Sequence, residues 1–163
     1  MTSSGGGWTV IQRHIYKGNT DFYLGWVQYK RGFGNLKSEF WLGLDKIHRL
    51  TSAKKNKLRI DLVHKSVNES YAEYEVFDVK NENHKYQLNI GNYTGNVWDA
   101  LSYHKDMAFS TKDSDNDKFV ENCAASWQGA WWYKECYDSN LNGKNMYWRG
   151  LGNVKNSEMK IKP

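Results

Sequence analysis

Aromatic residues are the feature of this chain that most restricts what it can fold into. Its 163 residues include 8 Trp, 11 Tyr and 6 Phe, and its single proline is the last residue, Pro163. Each aromatic side chain buries about 150–250 Å² and often carries a polar edge that needs a partner. The composition therefore predicts one folded domain whose core is built largely from rings, and it excludes disordered, collagen-like and coiled-coil chains.

Charge and hydropathy argue against two classes of partner, nucleic acids and membranes. The formal net charge is +5, but Asp61 lies close to the densest basic stretch, residues 54–59. We interpret that stretch as a solvated strand end, with polyanion binding as the lesser alternative. The longest apolar runs, such as residues 40–42, fall far short of the ~20 residues that cross a bilayer, and residues 1–7 lack the apolar core of a signal peptide. We expect no nucleic-acid partner, no membrane association and no signal peptide in this chain.

Alternating apolar residues predict an antiparallel sheet in the first part of the chain. Four segments show this period of two: residues 8–12, 58–62, 72–76 and 86–90. In the third segment we expect Ala72, Tyr74 and Val76 to face inward. The polar segments between the last three strands, residues 66–69 and 81–84, are typical of hairpin connections.

Two short helices are expected to cover one face of this sheet. Gly32 and Gly34 supply the end of the first helix, and the second is predicted over residues 44–50, with Leu50 among its inward residues. Four rings at helical spacing form the buried face of the first helix: Phe22, Trp26, Tyr29 and Phe33. The fold class is therefore α+β.

The character of the chain changes at about residue 96. From there Asn, Asp, Gly, Ser and aromatic residues follow one another with no sustained period. We therefore divide residues 5–163 into a sheet-and-helix part, 5–95, and a loop-rich part, 96–163. A long loop-rich stretch is normally either disordered or functional, and the Trp and Tyr content argues against disorder. A disulfide or a metal would have to fix these loops.

The two cysteines and two glycosylation triplets indicate an oxidising, secreted setting. Cys123 and Cys136 lie 13 residues apart with no His/Cys pair at zinc spacing near them. This spacing argues against a metal–thiolate site and favours a short-range disulfide. Asn68 and Asn92 begin Asn-X-Ser/Thr triplets, which predict glycosylation at both positions.

An acidic segment just before Cys123 is a candidate metal loop. Asp113, Asp115 and Asp117 alternate along it, and their mutual repulsion would be relieved by a hard dication with oxygen ligands. An EF-hand is excluded because Lys118 and Ala124 stand where that loop requires glycine and glutamate. A calcium loop and a solvated acidic turn both remain open on these residues alone.

A dense aromatic cluster follows the acidic segment. Rings with a polar edge suit a shallow binding surface, on which a sugar face or an acetyl methyl group can stack. Because the core itself must be aromatic, we expect about two in three of these rings to be buried. The cluster contains Trp127, Trp131, Trp132, Tyr133, Tyr137, Tyr147 and Trp148.

Catalysis is not indicated. No histidine falls in a nucleophile, carboxylate-pair or metalloprotease motif, and neither cysteine has an evident histidine partner. The five histidines are scattered and are expected to be surface or structural residues: His14, His48, His64, His84 and His104. We expect a chain that is not an enzyme.

Several long motifs together resemble the fibrinogen C-terminal globular domain, found in fibrinogen chains, ficolins, tachylectins, angiopoietins and invertebrate fibrinogen-related proteins. The likeness runs from residue 5 to residue 163 and is strongest to the invertebrate lectin-like members, because of Gly-Ala-Trp-Trp-Tyr and Ser-Asn-Leu-Asn-Gly. The motifs are residues 5–13, 32–36, 39–48, 123–133 and 139–143. The family's N-terminal subdomain would precede the first residue of this chain.

The resemblance implies a central antiparallel sheet flanked by short helices, with a loop-rich subdomain that holds calcium beside a ligand pocket. It implies a Cys123–Cys136 disulfide and a cis peptide bond between Glu135 and Cys136. The implied calcium ligands are the carboxylates of Asp115 and Asp117 and the backbone carbonyls of Phe119 and Glu121, completed by water.

The resemblance also implies where a ligand would bind. The implied ligand-binding residues are Trp127, Trp132, Glu135, Cys136 and Tyr137. Tyr137 stands where acetyl-recognising members carry histidine, and the chain after residue 150 is shorter than the family's aromatic-rich loop, so one wall of the pocket is expected to be cut back.

The function implied is extracellular recognition without catalysis. The first expectation is calcium-supported binding of acetylated or related glycans on microbial or host surfaces, as in lectins of innate immunity. The alternative is a protein-binding module in which the same surface docks a receptor or peptide. Any homo-oligomer is expected to form through the globular domain itself or through upstream sequence.

Overall fold

The computed structural model describes residues 2–3, 7–64 and 68–163, with side chains described for 7–64 and 69–163. The strands are β1 (Thr2–Ser3), β2 (Trp8–Ile15), β3 (Phe33–Gly34), β4 (Phe40–Trp41), β5 (Asn56–His64), β6 (Asn68–Val79), β7 (Leu88–Gly95), β8 (Ser139–Asn140), β9 (Tyr147–Trp148), β10 (Gly152–Asn153) and β11 (Asn156–Lys162). The helices are α1 (Trp26–Arg31), α2 (Leu44–Ala53) and α3 (Cys123–Trp127), with 3-10 turns at Glu82–His84 and Ser102–His104.

Eight strands form one antiparallel sheet, which confirms the α+β class. Its order is β3-β4-β2-β11-β5-β6-β7, with β1 paired to β2, and a small second sheet has the order β10-β9-β8. The last strand, β11, lies in the middle of the large sheet between β2 and β5. The expectation that loops continue to the end of the chain is therefore wrong for Asn156–Lys162, because Met159 and Ile161 alternate into the core.

Helix α1 is shorter than the ring spacing predicted. Gly25 precedes the helix in an extended conformation, and Gly32 ends it with a φ of 100°, which is a left-handed angle that favours glycine. Phe22 therefore lies in the loop before the helix and Phe33 in β3. Their rings still contact each other at 5.1 Å between centroids. The predicted aromatic cluster therefore forms, but its residues come from a loop, a helix and a strand. No helix in the described part of the chain is long and apolar enough to cross a membrane.

Two inward-facing positions differ from the prediction by one residue. In α2, Leu50 is 40% exposed, and the buried residue is Thr51, whose hydroxyl accepts a hydrogen bond from the Val79 amide. In β6, a register shift opposite the start of β5 inserts one extra residue, so Phe77 faces the core in place of Val76. The hairpin expected at residues 81–84 is present, and the one at 66–69 lies largely outside the described residues.

The core is aromatic, as the composition predicted, and it joins the two parts of the chain. Trp132 from the loop-rich part packs against Phe109 at 5.1 Å and edge-on against Phe77 of the sheet at 6.5 Å. Trp41 of β4 lies 6.4 Å from the same ring. Since these rings are fully buried, the loop-rich part closes one face of the sheet together with the helices.

Buried polar contacts also connect the sheet to the loops. Gln12 of β2 is fully buried, and its Nε2 donates to the Leu141 carbonyl at 3.2 Å and to Asn142 Oδ1 at 3.0 Å. Its Oε1 accepts from the Ser157 hydroxyl of β11 at 3.0 Å. His14 of β2 adds a bond from Nδ1 to the Leu141 carbonyl at 2.8 Å. One glutamine thus joins two central strands to the loop-rich part.

His104 fixes a second group of loop residues. It is fully buried, and its Nδ1 lies 2.8 Å from the Trp132 carbonyl, which can only accept, so Nδ1 carries the proton. Its Nε2 accepts from the amides of Asp138 and Ser139, both at 3.2 Å. Burial lowers the pKa of His104 from 6.5 to about 4, so the ring is neutral at pH 7.

Replacing Gln12 with leucine should destabilise the domain by about 2 kcal/mol, because the buried Asn142 Oδ1 loses its donor and the buried Ser157 hydroxyl loses its acceptor. Urea denaturation measures this loss. The matched control is Gln87→Leu. The Gln87 side chain donates to the Asp106 carbonyl at an exposed position, so this substitution should lower the stability by under about 1 kcal/mol. Equal losses in the two variants would contradict the role assigned to Gln12.

Stability should fall as the pH drops from about 6.5 to about 4, by at most about 1.4 kcal/mol per pH unit from His104. The sign follows because the unfolded chain takes up a proton on His104 that the folded chain does not. Urea denaturation across this range should give a shallower pH slope for His104→Asn. The exposed His84→Asn serves as the control and should keep the slope of the parent protein, and identical slopes in all three proteins would refute the assignment.

Candidate functional site

The site region is built on the cysteine pair. Helix α3 begins after Asn122, whose side-chain oxygen accepts from the Ala125 amide at 3.1 Å, and it carries Cys123 at its first position. Cys123 and Cys136 form a disulfide, which confirms the predicted pairing. The peptide bond between Glu135 and Cys136 is cis, as the resemblance implied.

Three aromatic rings lie in a row on the surface beside this disulfide. Trp127, the last residue of α3, is 50% exposed and meets the half-buried Tyr137 edge-on at 5.4 Å between centroids. The ring of Tyr147 in β9 also contacts Tyr137, at 5.5 Å between centroids. Burial raises the pKa of Tyr137, and neighbouring Tyr147 adds to this effect, so its hydroxyl remains a hydrogen-bond donor at neutral pH.

An arginine and a fourth ring extend the row. The Arg149 guanidinium lies 4.9 Å from the ring centre of Trp98, which is 56% exposed. The Arg149 backbone amide donates to the Asp138 carbonyl at 2.9 Å, and Arg149 Nη1 lies 3.4 Å from Asp138 Oδ2. Asp138 directly follows Tyr137 and Arg149 lies two residues after Tyr147, so the Arg149–Asp138 contact holds the two groups in the same region of the domain. We name this set the aromatic–arginine surface: Trp98, Trp127, Tyr137, Tyr147 and Arg149.

The other predicted ligand-binding residues lie in different environments. Trp132 is fully buried and its Nε1 donates to the Tyr86 carbonyl at 2.8 Å, so its side chain belongs to the core and is not available to a surface ligand. Glu135 is exposed, and its carbonyl accepts from the Tyr103 hydroxyl at 3.3 Å. Cys136 is half-buried in the disulfide. Of the seven clustered rings only four are fully buried: Trp131, Trp132, Tyr133 and Trp148.

Sequence reasoning missed Trp98 and Arg149. Trp98 lies in a segment without periodicity, and Arg149 follows a buried tryptophan with no motif around it. Their proximity depends on the Trp148 Nε1, which donates to the Trp98 carbonyl at 2.8 Å across 50 residues. No local signal in the sequence predicts that contact.

The acidic segment places two carboxylates next to each other. Asp117 Oδ1 accepts from the Phe119 amide at 2.9 Å, and its Oδ2 accepts from the Cys123 amide at 3.0 Å. Asp115 Oδ1 accepts from the Asp117 amide at 3.3 Å. Burial raises the pKa of Asp117, and the neighbouring Asp115 raises it further. Within the described ranges neither carboxylate has a cationic side chain as an ion-pair partner.

The third carboxylate of the segment points to a different contact. Asp113 Oδ1 accepts from the Trp26 amide at the start of α1 at 2.9 Å and from the Thr111 hydroxyl at 2.7 Å. The Thr111 bond lowers the pKa of Asp113. Asp113 therefore joins the loop-rich part to the first helix.

The oxygen atoms at the acidic segment fit a hard dication. Among the described residues no group of three His, Cys, Asp or Glu side chains could hold a metal, so a metal here would need backbone oxygens as well. The carbonyls of Phe119 and Glu121 accept no backbone hydrogen bond from any described residue and are free to serve. Two carboxylates, two carbonyls and water make an oxygen-only set of the kind that calcium prefers.

The two predicted glycosylation sites differ in what can be said of them. Asn92 is exposed in β7 and is open to modification. The side chain of Asn68 lies outside the described residues. Glycosylation stays a prediction at both positions.

Comparisons with known proteins identify the family of this chain. The sequence matches the family described as fibrinogen beta and gamma chains, C-terminal globular domain, over residues 1–163. It is 46% identical over 175 residues to human tenascin-R and 46% identical over 180 residues to mouse angiopoietin-related protein 7, with all of this chain covered. The chain spans only 13% of tenascin-R and 53% of angiopoietin-related protein 7.

Solved structures show the same fold. The fibrinogen-like globe domain of human ANGPTL2 has a TM-score of 0.94 and 37% identity, covering 99% of this chain and 82% of that one. A lamprey fibrin D-dimer complexed with the peptide Gly-His-Arg-Pro-amide has a TM-score of 0.91 and 31% identity, covering 99% of this chain and 63% of that one. By sequence and by structure, the chain belongs to the family of fibrinogen C-terminal globular domains.

Proposed function

We propose that this domain is a non-catalytic recognition module that binds a protein or peptide through the aromatic–arginine surface. The observation that supports this most is that the three contacting rings Trp127, Tyr137 and Tyr147 occur in the same region as the stacked pair of Arg149 and Trp98. Tryptophan, tyrosine and arginine are the residues that carry most binding energy in protein interfaces. They combine large apolar contact area with hydrogen-bond donors at few rotatable bonds.

The chemistry of the surface favours a protein partner over an acetylated glycan. Tyr137 replaces the histidine of acetyl-recognising members, and Trp132 is committed to the core, so two of the side chains expected in an acetyl pocket are missing. The rings instead form a row, flanked by a cation that stacks on Trp98. A lamprey relative of this fold was solved with a bound peptide. An acetylated glycan is the competing ligand for the same surface.

We place this recognition outside the cell. The domain contains the Cys123–Cys136 disulfide. Disulfides persist in oxidising compartments and are rare in reducing ones. The exposed Asn92 sequon is consistent with passage through a secretory pathway. The cell surface or the extracellular matrix would then supply the partner.

We also propose that calcium supports the site. Asp115, Asp117 and the carbonyls of Phe119 and Glu121 would hold the ion. A dication there offsets the repulsion between the two carboxylates. The Asp117 carboxylate accepts a hydrogen bond from the Cys123 amide. This bond connects the acidic segment to the disulfide and to α3, which ends at Trp127.

Peptides selected from a random library on the immobilised domain should bind the aromatic–arginine surface. Trp127→Ala and Arg149→Ala should each weaken these peptides about tenfold or more, measured by biolayer interferometry. Leu36→Ala is the matched control, because Leu36 is 54% exposed and lies outside this surface. Peptides that bind all variants alike, or that free N-acetylglucosamine displaces, would count against the proposal.

Millimolar calcium should raise the melting temperature, since a ligand of the folded state stabilises it by about 2.7 kcal/mol at a hundred times its dissociation constant. Asp117→Asn should abolish most of that shift. Asp106→Asn is the control, because Asp106 is exposed and outside the acidic segment. If calcium leaves the melting temperature unchanged, or if Asp117→Asn keeps the full shift, the metal assignment fails.

A further inference from the structure

A second concave site lies where the loop after β2 meets the loop-rich part of the domain. It is a cavity of about 460 Å³ lined by residues 14–23 together with Gln128, Lys144 and Asn145. This volume falls within the ~300–1,000 Å³ typical of small-molecule sites. The cavity shares no residue with the aromatic–arginine surface or with the acidic segment.

Buried contacts hold the walls of this cavity in place. Glu39 is 3% exposed, and its two carboxylate oxygens accept from the Ile15 amide at 2.9 Å and the Thr20 amide at 3.2 Å. Gly18 lies against this carboxylate so closely that a Cβ there would be 2.2 Å from Glu39 Oε2. On the opposite side the Lys144 amide donates to the Gln128 carbonyl at 3.1 Å. The backbone that frames the cavity is therefore preorganised, which lowers the cost of binding.

Five polar side chains that line the cavity form no hydrogen bond or ion pair in the described part of the chain. The side-chain amides of Asn19, Gln128 and Asn145 make no hydrogen bond to other residues in the described part of the chain. Within the same ranges, Lys17 and Lys144 form no ion pair with an acidic side chain. The cavity thus presents three amides and two cations whose hydrogen-bonding capacity is met only by solvent.

The combination of groups indicates the class of ligand. Amides donate and accept, so they suit vicinal hydroxyl groups, and the Asp21 carboxylate at the rim can accept from another hydroxyl. Tyr16 is 41% exposed, and the Lys17 Nζ lies 5.5 Å from its ring centre, so this ring and this cation form one patch at the rim. Lys17 and Lys144 outnumber Asp21, so the cavity lining carries one net positive charge. This charge suits a ligand with a single anionic group.

We propose that this cavity binds an acidic saccharide unit, one that bears hydroxyl groups and a single carboxylate or sulfate. Lys17 and Lys144 neutralise the anionic group, and Asn19, Gln128 and Asn145 bond to the hydroxyls. The site acts independently of the peptide surface, so the domain could engage a glycan and a protein at once. Separate residues carry the two activities, so each can be lost without the other.

Titration of ¹⁵N-labelled domain with glucuronic acid and with glucose 6-sulfate, followed by NMR, tests this proposal. At least one of the two should shift the amide signals of residues 14–23, 128 and 144–145 with a millimolar dissociation constant, and the stronger of them identifies the anionic group. The double variant Lys17→Gln/Lys144→Gln should weaken binding about tenfold. Trp127→Ala should leave it unchanged, which separates this test from that of the peptide surface.

Matched controls make the result decisive. The double variant Lys55→Gln/Lys118→Gln removes two exposed lysines elsewhere and should bind as the parent protein does. Neutral glucose should bind at least tenfold more weakly than the acidic sugars. The proposal is overturned if neither acidic sugar shifts these signals, if both double variants lose binding alike, if glucose binds equally well, or if only N-acetylaspartate amide, an acidic peptide mimic, shifts them.

Discussion

The central position of β11 is the constraint on which the rest of the structure depends. Strands β2 and β5 do not pair with each other, because Asn156–Lys162 lies between them and hydrogen-bonds to both. Strand β11 completes the sheet and follows the loops in the chain. Residues 96–155 therefore start from one strand of the sheet, β7, and end at another, β11, which holds them against the core. Two ion pairs support the same register. Arg13 of β2 pairs with Glu158 of β11, and Lys160 of β11 pairs with Asp61 of β5. Such distant pairings make the fold rich in non-local contacts, which is typical of slowly folding domains.

This arrangement divides the aromatic residues between two tasks. Rings such as Trp41, Phe109 and Trp132 are fully buried and give the loops a rigid base. Trp127 and Trp98 remain exposed, and each is positioned by a contact to that base, Trp127 through α3 and Trp98 through the Trp148 Nε1 bond to its carbonyl. The aromatic–arginine surface is therefore built on loops that the core fixes in place, which would reduce the entropy lost if a partner binds there.

Much of this fold could be predicted from the sequence, and the failures have physical causes. Alternation identified β2, β5, β6 and β7, and the family motifs identified the disulfide and the cis peptide bond. The register shift in β6 escaped detection because a bulge leaves no local signal in Val76 or Phe77. Strand β11 escaped because its alternating pattern follows sixty residues without periodicity. At the site, the family resemblance implied Trp127 and Tyr137, whereas Trp98 and Arg149 are brought there by tertiary contacts alone.

The central claim is that a protein or peptide partner docks on the aromatic–arginine surface of a preformed domain. Hydrogen–deuterium exchange of the domain with and without a library-selected peptide tests this most directly, because it locates the contact without altering any residue. We predict slower exchange of the amides at residues 127, 137–138 and 147–149 and unchanged exchange at residues 16–23. Protection confined to other parts of the domain, with these three segments unaffected by a bound peptide, would contradict the account.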